Sequence, residues 1–489
     1  MPANSWRESD SFSDPIRMNS LLSNLPEPLD DNDLDDSLTS SHLFDRGMEG
    51  RRQKAAVAIT MIWGGTIALH LLSWGIWLVW GLTTLMSIHA LRVLLARPLP
   101  PAKLLSSDDP EACPYVSMLV AAKNEEAVIG SLVKDLCSLD YPSSRYDLWI
   151  IDDNSTDRTP QVLEKLAQDY PQLHVVRRSA NAGGGKSGAL NEVWELTQGD
   201  IIAVFDADAQ VPKELLRRVA PLFDRETIGA VQVRKAIVNG LTNLWTRGQT
   251  AEMAFDSYVQ QQRIAIGGIG ELRGNGQFVR RAALEHCGGW NEETITDDLD
   301  LTLRLHLNRW EIDLLMTPPV GEEGVTTATA LWHQRNRWAE GGYQRYLDYW
   351  RLLVRNRMGT TKSIDLLMFM MSQYLLPTAS VPDMLMAIVR STPPVLAPIT
   401  SLMITFSLIN LFLGIRATQK ETVRSQSAAG TARSRRLPIG VANAMAQTLF
   451  GTLYMLHWIP VMASTTLRMA VRPKRLKWVK TVHHGSKQG

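Results

Sequence analysis

From Ala55 to Leu91 the chain runs 37 residues without a single Asp, Glu, Lys or Arg. One helix needs only about 20 residues to cross a hydrocarbon core of roughly 30 Å. A run this long predicts two membrane helices, with glycines at 64, 65, 75 and 81 available for a tight hairpin. Both flanks are basic, Arg51, Arg52 and Lys54 before and Arg92, Arg97 and Lys103 after, which places both on the cytoplasmic side. A single long tilted helix is the competing reading.

Around this N-terminal membrane region, residues 51–97, the character of the chain changes sharply. Residues 1–50 carry eleven Asp or Glu against three Arg, among many Ser, Pro and Asn. That composition offers too little apolar surface to offset the entropy of ordering, so a disordered acidic tail is expected. The apolar run starts too late for a cleaved signal peptide. Cys113, Cys137 and Cys287 lie far apart without C-x-x-C spacing, which argues against a disulfide framework or thiolate metal site and for a reduced, cytosol-facing domain. A net charge of +1 gives no nucleic-acid signal, and no nucleic-acid partner is expected.

Residues 104–340 alternate short apolar runs with helical stretches, the pattern of an α/β domain with a parallel sheet. The run ending at Ala122 leads into KNEEAVIGSLVKDL, LWIIDD into STDRTPQVLEKLAQ, and IIAVFDADAQ into VPKELLRRV. Each is strand, polar loop, helix, the arrangement that places ligands at strand C-termini. Residues 341–363 mix Tyr343, Tyr346, Tyr349 and Trp350 with Arg345, Arg351, Arg355, Arg357 and Lys362, a composition suited to an amphipathic helix on anionic lipid.

A C-terminal membrane region, 364–467, contains apolar stretches at 366–389, 395–415 and 437–467. The loop at 416–436 holds six Lys or Arg and one Glu, and the tail at 468–489 includes RPKRLKWVK. Three plain crossings would put that basic tail outside, against the positive-inside rule. Either 437–467 is a hairpin, or the segment containing Asp365, Pro377, Pro382 and Asp383 lies in the interface or re-enters.

Candidate chemistry sits where strands end. Asp206 and Asp208, after IIAVF, can meet one divalent cation, and Mg²⁺ or Mn²⁺ commonly completes its shell with substrate phosphates. Asp152 and Asp153 end another strand, where a carboxylate can accept hydrogen bonds from uracil or ribose. The stretch AGGGKSGALN supplies backbone amides and Lys186, suited to a diphosphate. Ala180 stands where a Walker loop needs its first glycine, so an ATP-binding P-loop is not expected. Asp297, Asp298 and Asp300 in TITDDLDLTLRL can cap a helix. Yet Leu299, Leu301, Leu303, Leu305 and Leu307 alternate with period two, which taken alone favours a strand. In WHQRNRWAEGG, Arg335 and Arg337 can pair with phosphate and Trp338 can stack on a sugar. His306, His333, His483 and His484 recur at no metal-binding spacing.

Taken in order, KNEE, DDNSTD, GGGKSGALN, DAD, TDDLD and QRNRW resemble the family-2 inverting glycosyltransferases of GT-A fold, the group containing cellulose, chitin and hyaluronan synthases. The resemblance implies that Asp152 and Asp153 contact uridine, that Asp208 with Asp206 holds the metal, that Lys186 lies near the diphosphate, and that Asp298 is the base. It implies that Gln334, Arg337 and Trp338, as Q-x-x-R-W, lie at the acceptor and diphosphate side. Where the family usually has T-E-D, this chain has Asp297 in place of Glu, which keeps the charge but shortens the reach.

A closer resemblance, through AAKNEEAVI, GELRGNGQFVRR, NEETITDDLDLTLRLHL and ALWHQRNRWAEGGYQRYLDYW, is to cyanobacterial lipid glucosyltransferases. It implies a GT-A domain inserted between N- and C-terminal transmembrane helices, UDP-glucose as donor and 1,2-diacylglycerol in the bilayer as acceptor. It also implies a multi-pass protein of thylakoid or plasma membrane with its catalytic domain in the cytoplasm. The alternative is a processive β-polysaccharide synthase of the cellulose or hyaluronan type.

Overall fold

In the computed structural model, residues 50–106, 109–428 and 440–472 are described, with backbone only for 421–428. The expected acidic tail, apart from Gly50, and the basic tail beyond Arg472 lie outside the described residues.

The uncharged run folds as the expected pair, α1 (Arg51–Leu71) and α2 (Gly75–Leu94). The turn between them is tight. A Cβ on Gly75 would stand 2.2 Å from the Leu69 carbonyl oxygen, so glycine is the residue that fits there. Their outer surfaces expose Leu71, Trp77, Leu85 and Ile88, a covering suited to lipid tails.

The α/β domain follows: β1 (Val116–Ala122), α3 (Ile129–Leu136), β2 (Tyr146–Asp152), α4 (Thr159–Asp169), β3 (Leu173–Arg177), α5 (Gly185–Trp194) and β4 (Ile201–Phe205). Then come α6 (Leu215–Val219), β5 (Ile228–Ile237), α7 (Leu244–Ala265), β6 (Gln277–Arg280), α8 (Arg281–Cys287), α9 (Asp297–Leu307) and β7 (Glu311–Glu322). The sheet order is β3-β2-β1-β4-β6-β5-β7. Every pairing is parallel except those of β6, which runs antiparallel to β4 and β5.

The expected parallel sheet is therefore a mixed one. The reason lies in α7, whose Ala251 and Ala254 pack with Leu411, Ile415 and Ala444 of the C-terminal helices. After α7 the chain re-enters the sheet as β6, antiparallel to both of its neighbours. Apolar strands such as IIAVF, buried throughout, pack on both sheet faces.

The period-two leucines resolve as helix. Leu301 and Leu305 of α9 pack against the sheet layer, while Leu303 and Leu307 pack against α10 (Ala328–Val354) and the membrane helices. A helix buried on both sides carries leucine on both faces, which imitates strand alternation.

Helix α10 corrects two expectations. Residues 341–354 are the second half of one 27-residue helix that begins before QRNRW, so no boundary falls at 340. Nor is that half an amphipathic interfacial segment: Tyr343, Arg345, Tyr346 and Tyr349 are buried, and the Tyr349 hydroxyl donates to Asp300 at 2.6 Å. These four side chains are used inside the protein, while Trp350 and Arg355 remain exposed.

Beyond α10 lie α11 (Thr360–Met370), a π-turn (Met371–Leu375), α12 (Leu376–Arg390), α13 (Ala397–Ala428), α14 (Val441–Met455) and α15 (Trp458–Val471). Four helical segments among the described residues are long and apolar enough to cross a membrane: Arg51–Leu71, Gly75–Leu94, Thr360–Arg390 and Ala397–Lys420. The carboxylates in the third have partners, Asp365 the guanidinium of Arg263 at 2.8 Å and Asp383 the His70 ring at 2.7 Å. The segment with Pro377 and Pro382 is one continuous helical segment, its turn widened at the π-turn. The stretch at 437–467 is instead the one divided, into two helices of 15 and 14 residues.

Candidate active site

The C-terminal edge of the sheet gathers the acidic motifs. β4 is followed directly by Asp206, whose backbone N–H donates to Asn275 Oδ1 at 3.2 Å. Asp208 Oδ2 accepts the Glu323 N–H at 3.0 Å, bracing the DAD loop against the end of β7. At the start of α5, Gly184 has φ +76, and a Cβ there would collide with Glu292 Oε2 at 2.2 Å. The run of glycines thus lets the loop close upon the segment that carries Asp297 and Asp298.

Lys186, in the first turn of α5, places Nζ 2.6 Å from Asp206 Oδ1. Burial opposes its charge, but Asp206, Asp297 and Asp298 outweigh that and hold its pKa above the ordinary lysine value. Burial likewise pushes the Asp206 carboxyl up, and Lys186, Lys235 and Arg337 overcome it, leaving its pKa low. Asp298 shows the opposite balance: burial and the Asp297 charge raise its carboxyl to about 6. Its Oδ1 accepts the Leu299 N–H at 2.9 Å.

Gln334, Arg337 and Trp338 line the same cavity as Lys186, Asp206, Asp208, Asp297 and Asp298. Trp338 is clamped between cations, with the Arg335 guanidinium 4.1 Å and Lys235 Nζ 5.4 Å from its ring. Arg335 is anchored to Glu252 at 2.5 Å, so it orients the tryptophan instead of meeting phosphate.

Asp152 and Asp153 are not brought to the cavity wall. Asp152 is 1% exposed and its Oδ1 accepts the Ser155 N–H at 3.0 Å. Asp153 is held by Arg178 at 2.7 Å and Lys123 at 3.2 Å. The neighbouring strand end does reach the wall through Ala121 and Glu125, and Ala122 is in register with Asp152.

Among the described residues no group of three or more His, Cys, Asp or Glu forms a self-sufficient metal cage. Asp206 and Asp208 fit an oxygen-loving divalent ion only as a partial site, which substrate phosphates would complete.

The cavity has a volume of about 780 Å³ and two characters. From the carboxylates it continues past Arg273, Arg263 and His89 into a chamber walled by Met403 and Phe406 of α13 and by Leu456 and Met462. Sequence reasoning gave no role to Lys235, Arg273, His89 or Gln260; the signal for the first two was their place in QVRKA and GELRG, beside strand ends.

A nucleotide-sugar-type strand edge, a buried carboxylate of raised pKa and an apolar chamber between membrane helices define a membrane glycosyltransferase of GT-A fold. The model of glycosyl transferase family 2 matches residues 117–288. A beta-monoglucosyldiacylglycerol synthase of Trichormus variabilis is 58% identical, the match covering 99% of this chain and all of that one. One of Synechocystis is 55% identical, covering 99% and 97%. Among solved structures, a mannosyltransferase of Pyrobaculum calidifontis in complex with GDP-Man and Mn²⁺ is 20% identical with a TM-score of 0.47, over 84% of this chain and 99% of that one. This chain belongs to the beta-monoglucosyldiacylglycerol synthases of glycosyltransferase family 2. It is a glycolipid-forming enzyme; the polysaccharide-synthase alternative is set aside by identity along the whole chain.

Proposed function

We propose that the protein transfers glucose from UDP-glucose to the free hydroxyl of 1,2-diacylglycerol, inverting the anomeric carbon. The observation that carries this is the cavity: one continuous space joins the Lys186–Asp206–Asp298 end to an apolar chamber between membrane helices. A water-soluble donor and a membrane-confined acceptor need such a space, and confining both raises their effective concentration.

The residues take distinct roles. Lys186 and the first turn of α5 hold the diphosphate. Asp206 and Asp208 would hold Mg²⁺ or Mn²⁺, which when bound supplies charge stabilisation to the departing diphosphate. The uridine lies beside Ala121 and Glu125, at the strand ends that carry Asp152 and Asp153. Asp298 removes the proton of the acceptor hydroxyl as its oxygen attacks the face opposite the diphosphate. Gln334, Arg337 and Trp338 wall the acceptor and diphosphate side. Four crossings would return the chain to the side on which it began, and the basic flanks and the basic loop at 416–436 support the cytoplasm as that side. The helices α14 and α15 then lie at the interface, and the basic tail stays inside.

The test is incubation of the purified protein in lipid nanodiscs with Mg²⁺, diacylglycerol and radiolabelled UDP-glucose or UDP-galactose in parallel. A single labelled glucolipid is expected. Label in a polymer, or a galactolipid alone, would overturn the assignment.

A further inference from the structure

Resting on that reading, we infer that a buried polar neck centred on Arg345 recognises the ester linkages of the acceptor lipid. Arg345 and Gln260 are each 2% exposed, and both line the cavity. Arg345 spends Nη2 on Glu271 at 3.2 Å and on the Tyr346 hydroxyl, but its Nε and Nη1 have no hydrogen-bond partner. Gln260 donates to the Glu271 carbonyl at 2.7 Å and leaves Oε1 unpaired. His89 of α2 also lines the cavity, with Nε2 on Asp365 at 3.3 Å and Nδ1 unpaired. Buried unpaired polar atoms are costly in a folded protein. Where several converge on one cavity, a ligand is the economical completion.

The position of the neck fixes what that ligand presents. On one side, Arg273 is bonded to Glu271 at 2.5 Å and adjoins Gly274. A Cβ on Gly274 would sit 3.4 Å from Asp298 Oδ2, so the neck begins one residue from the base. On the other side, Arg263 and Asp365 link it to the membrane helices through His89. A molecule threaded through has its reacting hydroxyl at Asp298 and its chains among α13 and α15. Between them the neck meets the first polar groups after the hydroxyl. In diacylglycerol these are two ester carbonyls, acceptors that match the free donors of Arg345.

Charge supports an uncharged ligand. Arg263, Arg273 and Arg345 face Asp256, Glu271 and Asp365, three guanidiniums against three carboxylates. Within this cluster each guanidinium already faces a carboxylate.

The experiment compares an ester-linked 1,2-diacylglycerol with the ether-linked 1,2-dialkylglycerol of equal chain length, using the full-length protein in nanodiscs. The ether lipid keeps the hydroxyl and the chains but lacks the carbonyls. In the wild type, kcat/KM for the ester should exceed that for the ether by about tenfold. Arg345→Lys, which keeps the charge facing Glu271 but not the planar fork, should lower the ester value to near the ether value and leave the ether value little changed. Nucleotide-sugar binding should be retained. Arg345→Gln serves as a second variant should the lysine protein not fold. Equal use of both lipids by the wild type overturns the neck alone, as does ester preference that persists in a folded Arg345 variant. Transfer to neither lipid overturns the diacylglycerol reading and the neck with it.

Discussion

Lys186 and Asp206 neutralise each other across 2.6 Å, so the cation proposed to hold the diphosphate and one carboxylate of the proposed metal pair are partners in the free protein. In the proposed roles a nucleotide would draw Lys186 to its phosphates and free Asp206 for the ion. The expectation is that metal and nucleotide bind with positive coupling.

That coupling is measurable. Mn²⁺ affinity, followed by paramagnetic resonance or calorimetry, should be weak alone and rise when UDP is added. In Lys186→Ala, Mn²⁺ alone should bind more tightly than in the wild type, because Asp206 is released. The KM for UDP-glucose should rise about ten- to a hundredfold. Unchanged metal affinity in the variant would separate Lys186 from the metal pair.

With Asp298 as the proposed base, its raised carboxyl predicts a pH dependence. A base must be ionised, so with a pKa of about 6 the rate should fall below that pH with unit slope and level off above it. Burial and the Asp297 charge cause the rise. Asp297→Asn removes the second cause and should move the acid limb to lower pH. Asp298→Asn should still bind UDP-glucose and lose transfer by several orders of magnitude. A pH profile in which Asp297→Asn leaves the acid limb in place would remove the coupling between the two carboxylates.

Arg51 ties the first membrane helix to the catalytic domain. It donates to Asp348 of α10 at 2.5 and 2.8 Å and to the Glu293 carbonyl at 2.6 Å, in the segment leading to Asp298. With the two side chains 8% and 1% exposed, removing one partner leaves the other charge buried. Arg51→Ala should cost about 3–5 kcal/mol, seen as faster thermal inactivation in nanodiscs. The paired replacement Arg51→Met with Asp348→Leu should recover much of that loss. No recovery would mean that the contact to Glu293 dominates.

How much of this was legible in sequence differs by element. The hairpin of α1 and α2 was readable because charge is absent for longer than one crossing, and the DAD end of β4 because IIAVF can only be buried. Helix α9 was not: its leucines serve two different cores, and periodicity reports one face at a time. The burial of α10 was hidden for a related reason. Arg345 and Tyr349 look interfacial until Glu271 and Asp300, 74 and 49 residues upstream, are placed beside them. Asp152 and Asp153 were legible as a strand end, while their engagement by Ser155, Arg178 and Lys123 depends on loops whose course no local pattern announces.

Gly341 tests how finely the proposed base is placed. It lies in α10 where that helix crosses the segment before Asp297, and a Cβ there would stand 2.0 Å from the Thr296 hydroxyl oxygen. Thr296 is buried and is the residue from which α9 starts, so it has little room to retreat. Gly341→Ala must push Thr296, and Asp297 and Asp298 with it, by a fraction of an ångström to an ångström. Displacement on that scale costs up to roughly a hundredfold in rate. The loss should fall on kcat, with the KM for UDP-glucose held, because Lys186 and Asp206 belong to other elements. Glycine and alanine differ little in helix preference on this scale, and alanine is the better helix former. A fall in kcat therefore reports the crowding at Thr296, and full activity would show that the α10 crossing can shift without disturbing the base.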